Sequence, residues 1–119
     1  MALDWLEFDY SEDAEGIGSF DAMAAAAPAQ LPALQAEVVR VLDWAHRGFG
    51  APLAPEEGGD WHYELQAVQE VATPLAVDYA PGRLQLGAGA AGPPRVTLSL
   101  TLGGTRGFCE AFRQAFDLA

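Results

Sequence analysis

The stretch RVTLSLTL, from Arg95 to Leu102, decides how the rest of the chain reads. Val96, Leu98, Leu100 and Leu102 alternate with Arg95, Thr97, Ser99 and Thr101, the two-residue period of a strand with one dry face and one wet face. Gly103 and Gly104 are expected to end it. Phe108, Phe112, Ala115 and Phe116 then recur at helical spacing, behind a Thr105 hydroxyl suited to capping the first turn.

Working towards the N-terminus, Leu84 and Leu86 mark a second strand. Before it, Leu75, Val77 and Tyr79 alternate with Ala76 and Asp78, and Pro81 with Gly82 suits the central pair of a type II turn between the two. Trp61, Tyr63, Leu65 and Ala67 alternate with His62, Glu64 and Gln66 and continue loosely to Val71, a strand with an aromatic face. Further upstream, Leu31, Leu34, Val38, Val41, Leu42 and Ala45 recur every three or four residues, while Gln35, Glu37, Arg40, Asp43 and Arg47 fall mostly on the other side. This predicts a helix from Leu31 to about Arg47, with Pro32 in its first turn and Gly48 or Gly50 as its stop.

Leu6, Phe8 and Tyr10 alternate with Glu7 and Asp9, which predicts a strand from about Leu3 to Tyr10. Ser19 to Ala26 reads as its hairpin partner, in competition with a short helix that Ser19 would cap. Short turns between successive strands favour antiparallel pairing. The expected class is therefore α+β: an antiparallel sheet of about five or six strands with two amphipathic helices packed on one face. One domain spans residues 1–119, with an acidic hairpin at about 3–26 and a long loop at 48–60. The wet face is expected to carry Glu64, Gln66, Thr97, Ser99 and Thr101.

The chain of 119 residues is 50% hydrophobic and 19% charged, a balance that can bury enough surface to fold. Seventeen acids against six bases give a net charge of −11, which opposes binding to a phosphate backbone. Seven of those acids, with no base among them, lie in the first 21 residues. No apolar run is long enough for a membrane span, and the N-terminus lacks the positive charge of an export signal. The single cysteine, Cys109, excludes an intrachain disulfide and fits a cytoplasmic protein.

No motif fixes a chemistry. The acidic turn fails the calcium-loop spacing in either register, because Phe20 or Ala22 falls where the final bidentate acid belongs. The glycines before the last helix lack the lysine of a phosphate loop, and the chain has no lysine at all. Cys109 shares a helix with Phe108 and Phe112 and reads as a buried, inert thiol, while His46 sits where a helix C-terminus favours imidazolium without further function.

The leading expectation is a non-enzymatic module that needs no cofactor or metal. It would bind a basic protein through Asp9, Glu12, Asp13 and Glu15 with Trp44 as an aromatic neighbour. The alternative is a small-molecule or catalytic cleft between sheet and helices that uses His62, Glu64 and Arg106. A homodimer through a helix face or an open sheet edge is compatible with either.

Overall fold

The computed structural model describes residues 1–118. Strand β1 (Asp9–Glu12) turns back into β2 (Gly18–Ala26), helix α1 (Leu31–Phe49) follows, and β3 runs from Trp61 to Val71. A hairpin of β4 (Ala76–Ala80) and β5 (Arg83–Gly87) leads to β6 (Pro94–Gly104) and the final helix α2 (Arg106–Ala115). The class is α+β, as the hydrophobic periods imply. The six strands lie in two sheets: a four-stranded one in the order β1-β2-β6-β3, and a separate two-stranded one made of β4 and β5. Every neighbouring pair is antiparallel.

The cleanly alternating segment becomes the central strand. Leu102 lies between Phe20 and Tyr63, and Leu100 between Ala22 and Leu65. Phe20, Ala22, Ala24 and Ala26 of β2 are buried together with Leu100 and Leu102, beneath Leu34, Val38 and Val41 of α1 and Phe108 and Phe112 of α2. The Ser19–Ala26 segment is thus a strand despite its alanines. Small side chains on one parity of β2 let the helices approach the sheet, and this packing outweighs intrinsic helix propensity.

Gly103 and Gly104 are the last two residues of β6 and are still paired within it, opposite Ser19 and Gly18 on one side and His62 and Trp61 on the other. A Cβ on Gly104 would stand 2.5 Å from the Phe108 ring and 2.8 Å from the Asp60 carbonyl, so glycine at the strand's end also permits close helix packing. Thr105 caps α2, its hydroxyl accepting the Phe108 amide at 3.3 Å. Helix α1 runs two residues beyond the expected Arg47 and stops at Gly50, which has φ +76°. The loop behind it contains a short 3₁₀ turn at Pro55–Glu57 and a single bridge from Leu53 to Trp61.

The expected strand from Leu3 to Tyr10 is largely absent, and the reason lies in Glu37. The helical period places this residue among the polar positions of α1, yet it is 1% exposed. Its carboxylate accepts the backbone amides of Asp4 at 2.9 Å, Trp5 at 3.0 Å and Leu6 at 2.8 Å. Amides bonded to a side chain are not free to build a ladder, so residues 1–8 form an irregular strap and β1 begins only at Asp9. Leu6 is buried and Phe8 sets its ring edge-on to Phe112, while every carboxylate of the strap and hairpin stays exposed.

Candidate functional site: an open acidic sheet face

Both helices cover one face of the four-stranded sheet and leave the other open. Strand register dictates what that open face shows. Asp9 lies directly opposite Asp21, Asp21 opposite Thr101, and Thr101 opposite Glu64. These four same-side positions place three carboxylates in one row across the sheet, interrupted by a single hydroxyl. Thr101 donates to Asp21 Oδ1 at 2.6 Å. Glu7, Asp9, Asp21, Met23, Ser99 and Thr101 line an open concavity of about 530 Å³ on this face.

The next same-side row holds Ser11, Ser19, Gly103 and His62. The His62 ring lies over Gly103, where a Cβ would come within 2.6 Å of Nε2. Beyond it, Asp13, Glu15 and Glu56 surround His62 in a smaller concavity of about 250 Å³. The acidic character therefore runs from the Glu7 end of the sheet to the 3₁₀ turn. Asp13 also shapes the β1–β2 turn, because its Oδ1 accepts the amides of Glu15 at 2.9 Å and Ile17 at 3.0 Å.

The bases do not neutralise this strip. Among the described residues the sole ion pair joins the Met1 amino group to Asp117 at 2.9 Å. The Arg113 guanidinium stacks 3.9 Å from the centroid of Tyr10, whose neighbours across β2 and β6 face the core. Tyr10 in turn donates to Glu12 Oε2 at 3.0 Å. Burial, and then the bond to Glu12, push the Tyr10 phenol above its ordinary range. The Arg106 guanidinium lies against the Gly16 backbone, within 3.1 Å of where a Cβ would stand.

Of the residues expected to form an acidic docking site, Asp9, Glu12, Asp13 and Glu15 are exposed on or beside β1 and its turn. Trp44 is set apart from them. It packs between the helices, with ring centroids 5.6 to 5.9 Å from Phe49, Phe108, Phe112 and Phe116. Asp21 and Glu7 escape the sequence reading of this face, although strand parity puts Asp21 on the wet side once β2 is recognised. His62 and Glu64 both project from the open face, two residues apart on β3. Arg106 starts α2, and the concavities lined by His62 include neither Glu64 nor Arg106.

Cys109 is 2% exposed, and its thiol lies 3.6 Å from the Gly104 carbonyl. Burial pushes its pKa up, the opposite of what a nucleophilic thiol requires. His46 holds Nδ1 2.9 Å from the Leu42 carbonyl and sets its ring edge-on to Trp61. Among the described residues no three His, Cys, Asp or Glu side chains converge as a metal site would require. Nor, among those residues, is any helix long and apolar enough to cross a membrane. Compared with protein-family models, with curated proteins and with solved structures, the chain matches none.

Proposed function

We propose that this protein is a non-enzymatic interaction module whose open acidic sheet face docks a basic segment of another protein. The observation that carries the reading is the direct opposition of Asp9 and Asp21, with Glu64 in the same row and no base among the described residues paired to any of them. Like charges facing each other across a strand pair destabilise a sheet by about 0.2–1 kcal/mol. Solubility alone needs no such arrangement, since carboxylates dispersed over the surface serve it equally well. A cationic partner turns the same row into an attraction, steers encounter and rejects acidic competitors. Nucleic acid is disfavoured by the same charges, and a cytoplasmic setting accords with the lone buried thiol.

Binding of an arginine-rich peptide, measured by calorimetry at low and physiological ionic strength, tests the proposal. The variant carrying Asp9→Asn, Asp21→Asn and Glu64→Gln is compared with one carrying Asp43→Asn, Glu110→Gln and Asp117→Asn on the helix side, so that both lose the same net charge. The sheet-face variant is expected to lose roughly tenfold or more in affinity and most of the salt dependence, and the control little of either. Equal losses in both would reduce the attraction to net charge and overturn the reading.

A further inference from the structure

We infer that the β4–β5 hairpin is a self-association arm, covered in the working assembly by a second copy of this chain. The inference rests on different residues from the acidic face and does not depend on it. Val77 lies opposite Leu86 and Tyr79 opposite Leu84, so the four share one side of the hairpin. They are 63%, 63%, 76% and 64% exposed respectively. A two-stranded hairpin with no third strand or covering helix is marginal in water. This one projects from the body and stretches the molecule to 64 × 33 × 26 Å, with a radius of gyration of 19.9 Å. A compact chain of this length has a radius of about 13–14 Å.

Three features favour a copy of the same chain as the occupant. First, the body carries the acidity, whereas residues 72–93 hold only Asp78 and Arg83, which cancel. Two equally anionic molecules can therefore meet at the arm without bringing like charges together. Second, β5 is self-complementary about a two-fold axis. Antiparallel pairing centred on Gln85 sets Leu84 opposite Leu86 of the other copy, while the corresponding pairing of β4 would set two Asp78 carboxylates face to face.

Third, the area is sufficient. The four hairpin residues expose on the order of 500 Å² of side chain, already at the upper range for a patch on a monomer. Two copies together give about 1,000 Å² through these residues, the least that a specific interface needs, and the half-exposed Leu75 adds to it. A basic partner would find no carboxylate row here.

Sedimentation equilibrium of the full chain over about 1–200 µM reads the assembly directly, because a dimer's population follows protein concentration. The expected result is a species of twice the 12.6 kDa chain mass. Leu84→Glu with Leu86→Glu is expected to weaken its dissociation constant about 100-fold or more, and Val39→Glu on the exposed side of α1 to leave it unchanged. Near-ultraviolet circular dichroism from the buried Trp61 and the partly buried Trp44 confirms that each variant keeps its body folded. Hydrogen exchange of the unmodified protein gives a variant-free check: amides of residues 76–87 should gain protection as concentration rises. A wild-type monomer throughout the range, a dimer that survives the Leu84 and Leu86 changes, or concentration-independent exchange in the arm would each overturn the inference. Binding of the arginine-rich peptide is unaffected by any of these outcomes, so the two proposals fail separately.

Discussion

Glu37 does more to shape the N-terminal third of the molecule than any apolar residue there. Its carboxylate takes three consecutive amides of the strap, charge-assisted bonds that hold residues 4–6 against α1. Glu37→Gln presents an amino group where an acceptor is needed and leaves buried donors without a partner. We expect it to cost about 1.5–3 kcal/mol in urea unfolding, with early loss of exchange protection in residues 4–6. Asp9 obeys the opposite logic. Asp9→Asn removes a like-charge opposition with Asp21 and is expected to stabilise the fold by about 0.2–1 kcal/mol. The same change weakens binding to the arginine-rich peptide, so unfolding and calorimetry on this one variant should move in opposite directions. A residue that improves stability when neutralised and binding when charged is spending folding energy on recognition.

Among the elements, β6 and the two helices are legible in the sequence because they face a single environment along their length, one side dry and one side wet. Thr97, Ser99 and Thr101 share the open side as their parity requires. Three misreadings have a physical source in tertiary contact. Glu37 looks solvent-facing because helical periodicity cannot see a strap arriving from about 30 residues away. Gly103 and Gly104 look like mere terminators because local rules know glycine as a breaker and not as clearance for the His62 and Phe108 rings. The separation of β4 and β5 from the main sheet is invisible because alternation reports that a strand is amphipathic without naming its neighbour. Of the candidate site, the acidic turn could be read directly, whereas the row joining Asp9, Asp21 and Glu64 exists only once register brings three distant strands together.

Helix α2 yields a prediction at the same scale. Burial raises the Cys109 thiol pKa in the folded state, so the unfolded chain ionises first as pH climbs. The contribution to stability is whole below the ordinary thiol value of 9.0 and is lost as pH rises through the folded value. The raised Tyr10 phenol acts in the same direction at higher pH. The urea midpoint should therefore fall as pH climbs past the ordinary thiol value of 9.0, and Cys109→Ala should flatten the first part of that fall. Native Cys109 should also react with a thiol reagent at least about a hundredfold more slowly than the urea-unfolded chain.

Across the molecule as a whole, charge and apolar surface are kept apart. The helices and one sheet face enclose the core, the other sheet face presents carboxylates, and the arm presents apolar side chains without net charge. Such a division suits a protein that meets two different kinds of surface, one by electrostatics and one by burial. The docking role of the open face stands or falls on where a basic ligand is felt, which amide chemical-shift mapping during titration with the arginine-rich peptide reads residue by residue. The largest changes are expected at Asp9, Asp21, Thr101 and Glu64, fading as salt is added, with the buried positions of α1 and α2 unmoved. Changes centred on the helices or the arm, or shifts spread evenly over every acidic residue, would contradict that role.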